Sequence, residues 1–380
     1  MSARRQAEDQ KSARQHDAQG PGHPFTVPGA GRSATGVRVA AWVRVTGLRW
    51  GLIGASDIAA TSIIPAIRAQ AGSEVTAVYS RSEERGAAYA RHWEIPNSHA
   101  DLDGLLGDSV DAVYVSTTNQ RHCEETLASA AAGKHVLCEK PLALSVDDAV
   151  SMVRACREAG VVLATNHGRR HDGAIRAARD LVRPGRLGTL LSARTSNSTE
   201  LPERLRGWRL TDTAAGAGVV LDLVVHEADT LRFVLGDDPA DVTALTGSHG
   251  MASTGVEDEV MGILRMRSGL LASYACSFVT PCGDVSLELN GTGGSLFVRR
   301  SRGQEPTVVL RGPDGEERIT VEQPEPLGHA TVRAFEAAVR GEGDPSASGE
   351  DGLRSLAVAL GTLESARSRR TVALDSFTSL

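Results

Sequence analysis

Cysteine is sparse. The 380-residue chain has five, Cys123, Cys138, Cys156, Cys276 and Cys282, with no Cys-x-x-Cys pair and no Cys/His cluster. That pattern excludes a disulfide framework, argues against a structural metal site, and fits reduced thiols in a cytoplasm. Long apolar runs are also missing: none reaches the roughly 18 residues needed to cross a membrane. Basic residues are dispersed and the formal net charge is -6, so no footprint for nucleic acid is expected. Residues 1–46 lack large apolar side chains almost entirely and are rich in charge, Gly and Pro. Such a segment cannot offset the entropy of its own ordering, so it reads as a disordered extension. Arg4-Arg5 has no apolar run behind it, so a secretory reading does not apply.

What is present is a globular composition, 41% hydrophobic and 23% charged, and a length sufficient for two domains. Residues 48–53 form a short apolar run of buried-strand length. Gly54-Ala55-Ser56-Asp57-Ile58-Ala59 follows, and a helical pattern opens. This is a degenerate form of the G-x-G-x-x-G/A turn, which seats a pyrophosphate on free N–H groups at a helix N-terminus. Ser56 replaces the middle glycine and brings a hydroxyl able to donate to phosphate. A second strand at 75–79 ends in Ser80-Arg81-Ser82, with Arg85 one turn on. An NAD site wants a carboxylate there for the ribose 2′-OH. A 2′-phosphate instead attracts Arg and hydroxyl donors, so the tip favours NADP(H) over NAD(H).

Further apolar strands at 110–116, 135–138 and 161–164 alternate with helices at 82–91, 124–132 and 147–159. That alternation predicts a doubly wound parallel sheet, an N-terminal Rossmann domain over residues 47–168. Beyond about residue 186 the pattern changes. Helices at 174–182 and 219–235 are followed by strand-like runs at 242–246, 259–266, 270–278, 285–289, 295–298, 307–310 and 318–321. The expected fold class is therefore α/β: the Rossmann domain, then an α+β domain over residues 169–380 with an open, mostly antiparallel sheet. Helices at 330–339 and 351–366 close the chain, the last free to pack back on the first domain.

Three places carry candidate chemistry. In Glu139-Lys140-Pro141 the lysine sits at a strand end, able to hold a substrate oxygen; a solvated lysine before a turn is the plain alternative. Asp222 and His226 stand at i and i+4 of one helix. A carboxylate there can orient an imidazole and raise its proton affinity, making His226 a general acid/base. A buried structural pair and a metal-ligand pair are the alternatives. Gly216-Ala217-Gly218 at the entry of this helix would let backbone approach a ligand. Gly207-Trp208-Arg209 suits stacking and hydrogen bonding to a hydroxylated ring, or is simply an Arg over a buried Trp. The cluster Asn166-His167-Gly168-Arg169-Arg170-His171 reads either as part of the site or as a charged linker.

Together, GLIGASDIA, YVSTTNQRH, GKHVLCEKPLA, WRL, GVVLDLVVHEADTLRFVLG and SGEDGL resemble the glucose-fructose oxidoreductase/inositol dehydrogenase (Gfo/Idh/MocA) family over residues 48–374. The resemblance implies Lys140, Asp222 and His226 as the catalytic set and no metal. It implies nucleotide contacts at Gly51, Gly54, Ala55, Ser56, Asp57, Ile58, Ser80, Arg81, Ser82, Arg85, Thr117, Thr118, Asn119, His122, Glu139, Lys140, Asn166, Trp208 and Arg209. Lys140, Asn166, His167, Arg209, Asp222 and His226 would border the substrate. Thr118 stands where many members carry proline. The implied activity is reduction of a keto group of a sugar or anhydrosugar by NADPH, with His226 giving the proton and Lys140 stabilising the alkoxide, although which of the two delivers the proton is left open by the sequence. Oxidation of an inositol or other polyol with NAD(P), or a catalytically silent nucleotide-binding regulator, are the alternatives. The expected partner is a small sugar, with no nucleic acid and no membrane, the chain acting as a monomer or as a homo-oligomer through the open sheet.

Overall fold

The structure, a computed structural model, describes residues 47–375 apart from Arg302. The polar segment at 1–46 thus lies outside the described residues. Six short strands form the first sheet: β1 (Arg49–Ile53), β2 (Glu74–Tyr79), β3 (Asn97–His99), β4 (Ala112–Val115), β5 (His135–Cys138) and β6 (Leu163–Thr165). All pairs are parallel, in the order β3-β2-β1-β4-β5-β6. The order reverses direction between β1 and β4, which opens a crevice outside their carboxyl ends. The ladder runs on past the strand ends, Ser116 N donating to Ile53 O, Glu139 N to Val115 O and Asn166 N to Cys138 O. Three polar residues are thereby aligned along one rim.

Both faces of this sheet are covered, which explains its unbroken apolar strands. Trp50, Leu52 and Tyr114 pack with Ile63, Ile64 and Ile67 on one face. The helix Leu327–Val339 completes that cover: Phe335 lies 5.1 Å from the Trp50 ring, and Trp50 Nε1 donates to Glu336 Oε1 at 3.1 Å. Ile53, Val113, Val115 and Val136 face the other layer, with Leu105, Ala149 and Met152.

The second sheet has nine strands: β7 (Leu190–Ser198), β8 (Pro239–Gly247), β9 (Glu259–Met266), β10 (Leu271–Ser277), β11 (Asp284–Gly291), β12 (Gly294–Ser301), β13 (Thr307–Gly312), β14 (Gly315–Ile319) and β15 (Val372–Ala373). Their order is β14-β13-β12-β11-β7-β10-β9-β8-β15, antiparallel except where β7 runs parallel to β10. The sequence reading has no strand at β7, yet this one joins the two halves of the sheet. Helices Gly173–Val182, 219–235 and Gly349–Ser368 cover one face. The last of them reaches both sheets. A Cβ on its Gly352 would meet Thr165 Oγ1 of β6 at 2.2 Å, and its Ser365 Oγ accepts from Ala244 N of β8 at 3.0 Å. Among the described residues, no helix is long and apolar enough to cross a membrane.

Candidate active site

The rim of the first sheet and the start of the helix over residues 219–235 bring the candidate residues together. Lys140, the residue after the rim glutamate, is half-buried and reaches across to that helix. Its Nζ donates to Asp222 Oδ1 at 2.7 Å and to the Asp222 carbonyl at 2.9 Å. The helix runs in a wide π turn over Val220–Val224, a form common at functional sites, and it is here that the lysine reaches a backbone carbonyl. Arg209 adds a second cation, its Nε 3.6 Å from Asp222 Oδ1, while its guanidinium stacks over the Trp208 ring at 4.6 Å. Burial alone would raise the Asp222 carboxyl. The charges of Lys140 and Arg209, with the lysine hydrogen bond, outweigh it and hold the group below the ordinary carboxylate range.

His226 differs from expectation. No hydrogen bond or ion pair joins it to Asp222 among the described residues, and its buried Nδ1 has no partner. Burial, then the positive charges of Lys140 and Arg169, push its pKa well below the ordinary histidine value. The expected pair, with the carboxylate raising the proton affinity of the imidazole, is therefore corrected: Asp222 serves Lys140, and His226 is a neutral imidazole. The physical reason is competition. Two cations, Lys140 and Arg209, claim the carboxylate. The ring of His226 instead stands edge-on to His167, 6.2 Å between centroids. His167 is itself buried, with Nε2 2.9 Å from Ser355 Oγ and burial pushing its pKa down to about 4.

The rim is braced from below. Glu139 Oε1 accepts from the Tyr114 hydroxyl and from Asn166 Nδ2, the latter at 2.5 Å. Lys140 N lies 3.3 Å from Glu139 Oε2. His122 was expected to touch nucleotide but is fully buried. Its Nδ1 is 2.9 Å from Pro141 O and its Nε2 3.3 Å from Thr117 O, so it ties the loop after β4 to the loop after β5. Thr117 Oγ1 donates to Glu125, which also takes Arg121 Nε at 2.8 Å. Thr118 is half-buried, and Asn119 is buried against Gly216, where a Cβ would stand 3.1 Å from Asn119 Nδ2.

At the turn after β1, Gly54 has φ +109, and a Cβ there would press on Ser116 and Thr117 backbone at 3.1 Å. Only glycine meets both demands at ease. Ser56 is not a free donor: its hydroxyl accepts from Ala59 N at 3.1 Å and lies 2.7 Å from Ser116 Oγ. Gly51, expected at the nucleotide, lies inside β1 instead, where a Cβ would meet Leu105 Cδ2 at 3.0 Å. At the β2 tip the candidates separate. Ser80 is buried, Ser82 caps the helix Glu83–His92 through Arg85 N, and Arg85 Nη2 donates to Ala55 O at 2.6 Å. Arg81 stands exposed there beside Ser82 and Arg85, which are exposed too but already engaged. The glycines at 216 and 218 give close approach to protein rather than to ligand: a Cβ on Gly218 would strike the Glu257 carboxylate, which accepts from Val220 N at 3.1 Å.

Residues 48–167 match the profile of the oxidoreductase family with an NAD-binding Rossmann fold, and residues 175–297 match the GFO/IDH/MocA C-terminal domain. The chain belongs to the Gfo/Idh/MocA oxidoreductase family. It is 49% identical over 331 residues to the 1,5-anhydro-D-fructose reductase of Ensifer adhaerens, covering 86% of this chain and 99% of that one. It is 30% identical over 334 residues to the D-xylose 1-dehydrogenase (NADP(+)) 2 of Haloferax volcanii, covering 86% and 100%. Among solved structures, aldose-aldose oxidoreductase from Caulobacter crescentus, complexed with glycerol, superposes with a TM-score of 0.78 at 26% identity, covering 86% and 99%.

The residues fit the dinucleotide that this family binds. The Gly54 turn opens a helix whose first turn carries Ile58, a large apolar side chain left 41% exposed. One feature of the family member escaped the sequence reading. The charged stretch after β6 is no linker: Arg169 Nη1 donates to Glu227 Oε1 at 2.5 Å, and Arg170 binds Asp229 through Nε and Nη2. The signal was present in His226-Glu227-Ala228-Asp229, where two acids sit in a largely apolar helix and, once buried, each needs a cation.

Proposed function

We propose that this oxidoreductase reduces the keto group of a sugar or anhydrosugar with NADPH, acting as a 1,5-anhydro-D-fructose reductase. The observation that carries the reading is the Lys140–Asp222 clamp beside a neutral His226. The 49% identity to the Ensifer adhaerens reductase supports the substrate class. The exposed Arg81 at the β2 tip supports a 2′-phosphate, as does the NADP(+) in the name of the Haloferax volcanii relative. Nicotinamide supplies a hydride when bound.

The chain's own groups manage the proton. An ammonium has three N–H donors. Two of Lys140's are placed on Asp222, and the third is left for a substrate oxygen. As negative charge grows on that oxygen, Lys140 is the positively charged donor beside it, and it transfers its proton. His226, neutral for the reasons above, hydrogen-bonds the same oxygen or its neighbour and fixes the ring. Asp222 holds Lys140 in place. Of the two donors that the sequence leaves open, Lys140 is the acid and His226 the orienting donor. Asn166, held by Glu139, and Arg209, stacked on Trp208, border the same space.

The test is a titration of tryptophan fluorescence with NADPH and with NADH, followed by 1,5-anhydro-D-fructose. NADPH should bind at least about tenfold more tightly, a difference of roughly 1.4 kcal/mol, and its absorbance should fall on adding the sugar. Lys140→Ala should cut kcat/KM by at least about a hundredfold while NADPH still binds. NADH preference with oxidation of a polyol would replace this reading by a dehydrogenase. NADPH binding without turnover on a panel of keto sugars would leave a silent regulator.

A further inference from the structure

Asp57 poses an electrostatic problem. It opens the helix over residues 57–68, one position after Gly54-Ala55-Ser56, and is 60% exposed at its side chain. The positive end of that helix favours an anion. Asp57 already supplies one, and a pyrophosphate seated on the same turn would meet a carboxylate of like charge. The structure holds the answer on a different part of the chain. Arg204 Nη1 donates to Asp57 Oδ2 at 2.6 Å. Arg204 belongs to the short 3-10 turn Glu203–Leu205, in the segment that runs from β7 to Trp208 and Arg209.

We propose that Arg204 is a nucleotide-positioning residue: it neutralises Asp57 and presents a cation to the pyrophosphate from the substrate-binding half of the chain. The inference rests on the reading that the Gly54 turn binds a dinucleotide. A guanidinium has five N–H donors. The structure records one of them on Asp57, so phosphate oxygens can be bound without breaking the pair. Arg204 is 65% exposed at its side chain, which leaves a ligand room to reach it. An isolated exposed ion pair contributes little to folding, so the pair has its consequence in binding rather than in stability. The segment it anchors also carries Trp208 and Arg209, so a bound nucleotide would hold that segment over the site before the sugar arrives.

The experiment is a double-mutant cycle on NADPH affinity, read by tryptophan quenching or calorimetry without substrate. Arg204→Ala should raise Kd about tenfold, and the loss should shrink at high salt, because the charges are exposed. Asp57→Asn should bind as tightly as the parent protein or more tightly. The double variant should recover part of that loss but not all of it, since the uncompensated carboxylate is gone while the cation facing the pyrophosphate is still missing. A double variant as weak as Arg204→Ala alone would overturn the charge-compensation account, as would Arg204→Ala binding like the parent. If the parent protein binds neither NADPH nor NADH, the nucleotide reading itself falls, a result distinct from either of these.

Discussion

The two sheets treat their faces differently. The parallel sheet is buried on both, so its central strands are apolar and chemistry is confined to the rim at their carboxyl ends, where Ser116, Glu139 and Asn166 line up. Among the described residues, the nine-stranded sheet is covered on one face only. In β9, Val260, Leu264 and Met266 point into the helix layer, while Met261, Ile263 and Arg265 point away from it. Leu264 is 0% exposed and Ile263 54% exposed, though they are neighbours. The site lies between the rim of one sheet and the covering helix of the other. The first half contributes Lys140 and the second Asp222 and His226.

Substitutions can break this contrast. The largest effect is expected at the joint. Asp229, 1% exposed, holds Arg170 by two nitrogens, and His167 Nδ1 lies 4.0 Å from its carboxylate. Asp229→Ala leaves a buried guanidinium short of its partner and should cost about 3–5 kcal/mol in urea unfolding. Next is Leu264→Ala on the covered face, expected to cost about 2–5 kcal/mol. Lowering the pH comes third. His167 titrates at about 4 in the folded chain against roughly 6.5 unfolded. Its stabilising contribution is complete above the unfolded value and is lost as pH falls below about 6.5 toward 4, because only the unfolded chain takes up the proton. From pH 7 to 5 this amounts to roughly 1–2 kcal/mol, and His167→Gln should flatten that slope. The smallest effect is on the open face: Ile263→Ala should stay within about 0.5 kcal/mol. A loss at Ile263 matching that at Leu264 would mean the second face is covered in solution.

The same contrast explains what was legible in the sequence. Apolar runs alternating with helices gave the parallel half, and the strand-like run Glu259–Met266 coincides with β9 in its bounds. β7 was hidden because LLSARTSNS mixes small and polar residues, and its partners on both sides come from far along the chain. The residues of the site were visible as motifs, but their pairing was not. An i, i+4 spacing says that Asp222 and His226 share a helix face. It cannot say that Lys140, 82 positions earlier, takes the carboxylate. The reading of His122 as a ligand contact failed in the same way, because a histidine at a strand end does not reveal that two loop carbonyls enclose it.

The central claim is that Asp222 serves Lys140 and leaves His226 neutral. A proton NMR titration of the His226 ring, assigned by comparison with His226→Gln, tests it most directly. The account predicts a neutral imidazole at pH 7 that remains neutral below pH 6, in the parent protein and in Asp222→Asn alike. An imidazolium at pH 7 that disappears in Asp222→Asn would show the carboxylate holding the histidine charged, and would contradict the assignment of the proton to Lys140.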